Sequence, residues 1–369
     1  TEDGMAKDTP SVYSDIRQRL QKEIAAARPN TKIRSRRDLM QEYGVSRTTI
    51  DRAISELIGQ GHLYAKNGSG TYVAARGGAA AAGRQMRSWG LLLPDIRHYT
   101  YPGILRGIEH VSFEHDVNLI VGNIENQAAR QTSYLRNFID SSVSGVIIVP
   151  ARPNPSEDLE GQLFSMLQEL NAREIPFVFC NRNALGIEAP QVVSNDYHGG
   201  LLATRHLIEQ GYRRIAYIAH PRYTISLNRY MGYLSALDLA GRQPDERLVA
   251  FSDSWEFESP GYEEMGRMLD GPVPPDAVFC FTDPIARGAC RAVCERGLVP
   301  GRDVGIVGYD DSPVCRTLEI PLSSVRIHAF ELGRKAAQLL FDANQRSALD
   351  PNASVILPPD LAIRESSTR

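Results

Sequence analysis

The chain has 369 residues, 42% of them hydrophobic, and a formal net charge of −3; that length and apolar content suit two or three domains with cores of their own. No apolar run reaches the roughly 18 to 20 residues of a membrane helix or resembles a secretory leader, so a cytoplasmic protein without a membrane partner is expected. The five cysteines, Cys180, Cys280, Cys290, Cys294 and Cys315, are odd in number and lack C-x-x-C spacing, which argues against a disulfide framework or zinc ribbon and for reduced core thiols.

Charge is unevenly spread. Residues 1–75 hold 12 Lys+Arg against 9 Asp+Glu, a balance of +3, so the rest carries −6 to reach the total of −3. Arg34, Arg36, Arg37, Arg47 and Arg52 crowd into this basic head, as a surface that displaces counterions from duplex phosphates requires. Tyr13, Ile16, Leu20 and Ile24 recur at helical spacing, predicting a first helix that stops near Pro29. Ser35 with Asp38 forms a capping-box start for a second helix ending at Gly44. Ser46 then caps a third helix with a buried stripe of Ile50, Ala53, Ile54 and Leu57, which turns Thr48, Arg52 and Ser55 outward and leaves Arg47 in the exposed first turn. Two helices across a glycine turn make a helix-turn-helix. The run "HLYAKNGSGTYV" places β-prone residues around Asn67-Gly68-Ser69-Gly70, a hairpin wing.

In this order, "VYSDIRQRLQKEI" and "KIRSRRDLMQEYGVSRTTIDRAISELIGQGHLYAKNGSGTYV" resemble the winged helix-turn-helix head of gluconate-repressor (GntR) type regulators over roughly residues 10–74. The resemblance implies that Arg37, Arg47 and Thr48 contact DNA and that Gly68 and Gly70 approach the minor groove. The candidate DNA-facing set is Arg36, Arg37, Ser46, Arg47, Thr48, Thr49, Arg52, Gly68, Ser69 and Gly70. Asp51 departs from the family pattern, which often has arginine there. A carboxylate at that place repels phosphate unless it accepts from a cytosine amino group or pairs with Arg47 or Arg52.

"AARGGAAAAGRQMRS", a Gly/Ala tract without β-branched or aromatic residues, predicts a linker over 76–88 between the head (1–75) and a body (89–369). As coil it would span about 20 Å. From Trp89 onward the runs "WGLLLP", "VNLIVG", "GVIIVP", "PFVFCN", "RIAYIA", "AVFCF" and "VGIVGY" alternate with amphipathic segments. Continuous apolar strands of this kind predict parallel sheets covered on both faces, hence an α/β body of two lobes with a cleft between them. Ligands in such folds lie beyond the carboxyl ends of the strands.

At those strand ends "SNDYHGGLLATRHLIEQGYRRIAYIAHP", "NRYMGYLSAL", "PDAVFCFTDPIARGACRAVCERGLVPGRDVGIVGYDDSP" and "PLSSV" resemble, in order, the ligand-sensing core of lactose/galactose-repressor (LacI/GalR) regulators, a fold shared with periplasmic sugar-binding proteins. The combined layout is similar to that of arabinose-responsive repressors. The resemblance implies lobe 1 at about 89–190 plus 323–346 and lobe 2 at about 191–322 plus 347–369, with crossings near 185–193, 321–328 and 346–352 that act as a hinge.

A polyhydroxylated ligand needs bidentate partners and an aromatic face. Arg229 can fork onto adjacent hydroxyls, or stand in a salt bridge; Asp310, first acid of "GYDD", can accept from hydroxyls. Asn181 and Tyr101 come from strand ends of the first lobe, and Trp255 stands where the family often stacks an aromatic on sugar, with core packing as the alternative. Thr282 and Asp283 occupy a place where the family usually has Asn-Asp, and Ile327 replaces a polar residue.

Other classes fit poorly. Heads of this type also precede aminotransferase-like bodies, which need a core lysine for a Schiff base, yet beyond Lys66 the chain has only Lys335, in an amphipathic helix. There is no G-x-S-x-G or H-E-x-x-H, and His206 reads as a satisfied helix histidine. The expectation is therefore a repressor, not an enzyme, with no cofactor or metal: a homodimer that binds operator DNA and senses a sugar-like effector.

Overall fold

The computed structural model describes residues 16, 19–24, 27–28, 30–59, 62–66, 70–74, 87–152, 159–184, 187–346 and 353–369. Contacts divide the chain into two compact units, 1–86 and 87–369.

In the first unit, helix α1 (Arg36–Tyr43) begins at a capping box in which Ser35 and Asp38 satisfy each other's backbone amides, and stops at Gly44 with φ of 64°. A left-handed residue ends a helix most easily when it is glycine. Helix α2 (Arg47–Gly59) follows after a short turn; the Ser46 hydroxyl accepts from the Thr49 amide at 3.4 Å. Ile50, Ala53, Ile54 and Leu57 are fully buried, with Leu39, Leu63, Val73 and, from the preceding helical residues, Ile16 and Leu20. Thr48, Arg52 and Ser55 are exposed on the opposite face. Strands β1 (Leu63–Lys66) and β2 (Gly70–Val73) pair antiparallel, Leu63 opposite Val73 and Lys66 opposite Gly70. Tyr13, Pro29, Gly68, Ser69 and residues 76–86 of the expected linker lie outside the described residues; Ser88 already belongs to the next strand.

The second unit is built on two six-stranded sheets. The first lobe runs β3 (Ser88–Leu93), α3 (Thr100–Glu114), β4 (Asn118–Asn123), α4 (Ala128–Asp140), β5 (Gly145–Ile148), α5 (Leu159–Ala172), β6 (Phe177–Asn181) and β7 (Gln191–Ser194). The second runs α6 (Asp196–Glu209), β8 (Ile215–Ala219), α7 (Thr224–Leu239), β9 (Val249–Phe251), α8 (Ser259–Leu269), β10 (Ala277–Cys280), α9 (Asp283–Glu295), β11 (Gly305–Tyr309) and β12 (Ser323–Arg326). Helix α10 (Ala329–Arg346) and β13 (Ser354–Leu357) return to the first lobe, and β14 (Asp360–Ala362) to the second. The sheet orders are β4-β3-β5-β6-β7-β13 and β9-β8-β10-β11-β12-β14. Every pairing is parallel except β12 with β14.

Three details differ from the sequence reading. The chain crosses between sheets at 194–196, 326–329 and 357–360, so residues 191–194 and 354–357 sit in lobe 1 and 323–326 in lobe 2. Backbone pairing, invisible in a single short segment, decides which sheet it joins. Strand β4 is an edge strand with Ile120 and Val121 exposed, not one covered on both faces. Cys180, Cys280 and Cys315 are buried free thiols, whereas Cys294 is exposed and Cys290 half-buried, because they fall on the outer part of α9.

Glycines set how closely helices approach. A Cβ at Gly107 would lie 2.0 Å from the Phe330 carbonyl oxygen, at Gly232 2.1 Å from that of Tyr197, and at Gly288 2.1 Å from that of Glu258. The pairs α3–α10, α6–α7 and α8–α9 are thus packed backbone to backbone. The second pair matters most, since it carries Asp196 and Arg229.

Candidate functional site

On the head, Arg37, Ser46, Arg47, Thr48 and Arg52 are exposed, and Arg36 and Thr49 are half-buried. Asp51 lies between two of the arginines: its Oδ1 accepts from Arg36 Nε at 2.5 Å, and Arg47 Nε stands 3.5 Å from its Oδ2. The carboxylate therefore ties α1 to α2 and keeps Arg47 beside the first turn. Arg47, one of the two partners considered in the sequence, is joined by Arg36, which pattern reading along one helix could not supply. Arg34 is occupied by Glu23 and Glu42, so it belongs to the head's own ion pairs rather than to the candidate DNA face. Gly70 opens β2 with φ of 127° and sits against the Lys32 side chain.

In the body, a cleft opens between the lobes, lined by residues from seven chain segments. The first lobe supplies His98, Thr100 and Tyr101 after β3, Arg152 after β5, and Asn181 and Arg182 at the end of β6. The second supplies His220, Tyr223, Ile225 and Arg229 after β8, Phe281 and Thr282 after β10, and Asp310 after β11; Ile327 lies at a crossing. Two polar residues are aimed by unusual backbone. Asn181 has φ of 66° and Asp310 of 102°, a region that Asn and Asp tolerate better than most side chains. At Asn181 the Arg182 amide donates to the Cys180 carbonyl at 2.8 Å, closing a tight γ-turn. Strained turns of this kind persist where surrounding packing enforces them and cluster at ligand sites.

Arg229 is nine-tenths buried. Its Nε donates to Asp196 Oδ1 at 2.8 Å and its Nη1 to the Phe281 carbonyl at 2.6 Å. The guanidinium plane lies 3.4 Å from the Tyr309 ring centre and 4.4 Å from that of Phe281. Salt bridge and cleft wall are thus the same residue. Burial opposes its charge, but Asp196 foremost outweighs burial and holds it above its usual range. Asp310 is pushed up to about 8 by burial, which Arg229 only partly counters and Asp283 and Asp196 reinforce. His98 falls to about 3 through burial and then the positive charge of Arg152 and Arg182; His220 falls to about 4, again through burial first and then Arg152.

Four buried polar atoms on the cleft walls have no partner among the described residues: His98 Nδ1, Thr100 Oγ1, Arg182 Nη2 and Thr282 Oγ1. Buried donors and acceptors are nearly always paired, so their convergence marks a place for a polar ligand. Thr282 precedes α9 yet its hydroxyl caps no amide there.

The cleft brings together Tyr101, Asn181, Arg229, Thr282 and Asp310. It does not include Asp283, which is fully buried behind it, accepting from Ser312 N at 2.7 Å and Ser324 Oγ at 2.5 Å. That carboxylate fastens the ends of β10, β11 and β12 to one another. Trp255 stands behind the wall, its ring 5.4 Å from His220 and 5.3 Å from Tyr223, with Arg152 of the other lobe 5.1 Å above it. His98, Arg152, Arg182 and His220 were absent from the sequence reading, although His220 and Arg182 directly follow the strand runs "RIAYIA" and "PFVFCN" and the strand-end rule reaches both.

Residues 11–73 match the model for bacterial regulatory proteins of the gntR family, and residues 204–367 match that for a periplasmic binding protein-like domain. The chain is a DNA-binding transcriptional regulator with a gntR-type helix-turn-helix head and a LacI-like body. In layout it is similar from end to end to the arabinose metabolism transcriptional repressor of Geobacillus stearothermophilus, 27% identical over 372 residues that cover 98% of this chain and 99% of the relative. The HTH-type transcriptional repressor CytR of Escherichia coli (strain K12) is 29% identical over 279 residues, 75% of this chain and 78% of that one. Among solved structures, the transcriptional regulator CelR–cellobiose complex superposes with a TM-score of 0.65 at 29% identity, covering 87% of this chain and 91% of that chain. Among the described residues no helix is long and apolar enough to cross a membrane.

Proposed function

We propose that the protein is a homodimeric repressor whose hold on operator DNA is set by a small polyhydroxylated effector bound between the lobes of the body. The four unpartnered polar atoms converging on the cleft carry this reading. The relatives support the carbohydrate class, one being named for arabinose metabolism and one solved with cellobiose. Asn181, Arg229, Thr282 and Asp310 take hydroxyls, and Tyr101 and Phe281 face the ligand's C–H groups. On the head, Arg37, Arg47, Thr48 and Arg52 meet phosphates and base edges, and the β1–β2 hairpin presents Gly70 to the minor groove.

Effector bound to both lobes favours a closed cleft, and closure alters the separation at which a dimer presents its two heads. Coupling of this kind requires the ligand to bind one lobe arrangement better than the other. Trp255 and Arg152 supply a contact between lobes that closure can make or break. Exposed Phe113, Ile120 and Val121 on the first lobe provide apolar surface for a second copy.

Two variants test the division of labour. Arg47→Ala should weaken binding to a duplex from the protein's own upstream region by about 10- to 100-fold and leave effector affinity unchanged. Thr282→Val keeps shape but removes one cleft hydroxyl. It should lower effector affinity by about fivefold or more and leave DNA affinity of the ligand-free protein intact. Mobility shift and calorimetry against pentoses, hexoses, polyols, sugar acids and nucleosides read both; loss of both activities in either variant contradicts the proposal.

A further inference from the structure

The cleft holds more positive charge than its own acids balance. Three arginines line it, and among the described residues only Arg229 meets a carboxylate, Asp196 at 2.8 Å. Arg182 is 7% exposed; its Nε donates to the neutral Pro150 carbonyl at 2.6 Å, and its Nη2 has no acceptor among the described residues. Arg152 beside it is half-buried, lies over the Trp255 ring, and forms no ion pair among the described residues. Asp310 is the one acid on the wall among the described residues, and burial keeps its proton on up to about 8. The two histidines, held neutral, add hydrogen-bonding groups without charge.

A buried guanidinium without a counter-charge is costly, and protein interiors pair such groups or leave them for a ligand to pair. Arg182 and Arg152 stand on the first-lobe wall, across from the hydroxyl-binding groups Arg229, Thr282 and Asp310 of the second. We propose that the effector is a polyhydroxylated anion, a sugar acid or a sugar phosphate, whose charged end is held by Arg182 and Arg152 while the second lobe holds its hydroxyls. This rests on the reading of the cleft as an effector site and adds the ligand's charge. Planar forks on a carboxylate or phosphate give both strength and direction, and an anion bridging the lobes would favour closure.

Calorimetry on the full chain tests this with D-gluconate, D-glucuronate, D-glucose 6-phosphate, inorganic phosphate, D-glucose and L-arabinose. At least one sugar anion should bind about tenfold or more tighter than either neutral sugar, with affinity falling as sodium chloride rises. The carboxylate and phosphate arms say which anion is preferred. Arg182→Gln should lower that affinity by about 100-fold without lowering the melting temperature of the ligand-free protein, because it removes an unpaired buried charge. Should Arg182→Gln fail to fold, the half-buried Arg152→Gln carries the same test, with a smaller loss expected. Neutral sugars binding as tightly as the anions overturn the proposal but leave the effector cleft standing if Thr282→Val weakens them. Binding of inorganic phosphate alone also overturns it, since the hydroxyl partners would then be idle. Binding of no probe removes both readings.

Discussion

Asp310 keeps a proton that the unfolded chain would release near its ordinary value of 3.8. Between about pH 4 and pH 8 the folded state therefore holds more protons than the unfolded one, and stability falls as pH rises through that window. His98 and His220 act in the opposite sense, since they stay neutral down to about 3 and about 4; their contribution is whole above pH 6.5 and is lost as pH falls below it. Of these three residues only Asp310 still titrates in the folded state above pH 6.5, so the two effects separate there. Asp310→Asn should accordingly gain on the unsubstituted protein as pH rises from 6.5 to 8.5, by at most about 1.4 kcal/mol per unit. Melting curves without ligand across that range check this, and parallel curves for the two proteins would rule it out. Asp283, only a strand end away, has a different task. Its hydrogen bonds to Ser312 and Ser324 fix the loop on which Asp310 stands, so it positions the cleft without touching it.

At the level of elements, the helix pair α6–α7 couples cleft geometry to packing. Asp196 opens α6 and Arg229 lies in α7, and Gly200 and Gly232 let the two backbones touch: a Cβ at Gly200 would fall 2.1 Å from the Arg229 carbonyl oxygen. Helix propensity alone says that Gly→Ala stabilises a helix by about 1 kcal/mol. Close packing says the reverse, with overpacking costing about 1 to 3 kcal/mol. Gly232→Ala should therefore lower the melting temperature and, by separating Asp196 from Arg229, weaken effector binding as well. A variant as stable as the unsubstituted protein would mean the helices part freely. Elements also differ in how readable they are. The runs that became β3, β5, β6, β8, β10 and β11 are central and continuous in apolar residues. Strands β7, β9, β13 and β14 are three or four residues long and carry no such run, because edge or near-edge positions are stabilised by pairing rather than by burial on both faces.

For the whole molecule, the proposed recognition of operator DNA by two heads requires a partner copy. Phe113 at the end of α3 and Ile120 and Val121 on the edge strand β4 are exposed on the first lobe. An apolar edge strand left open in a monomer is a liability that a second subunit removes. Phe113→Glu combined with Ile120→Glu should yield a monomer by light scattering. Duplex affinity should fall by about 100-fold or more in parallel, since each head then binds its half-site alone. A dimer of undiminished mass would place the interface elsewhere.

The sequence by itself determined the kinds of element, their order, and the separation of a basic head from an acidic body, because periodicity, caps and charge act locally along the chain. It also offered Tyr101, Asn181, Arg229, Thr282 and Asp310, which line the cleft, partly through the rule that ligands gather where parallel strands end and partly through the family resemblance. Only the tertiary structure decided that Asp283 turns inward while Asp310 faces the cleft, that Asp51 joins Arg36 to Arg47, and that Arg152 and Arg182 have no carboxylate partner among the described residues. Those outcomes depend on the left-handed turns at Asn181 and Asp310 and on which lobe lies opposite. Contacts between segments far apart in the chain fix both, and no local pattern encodes them.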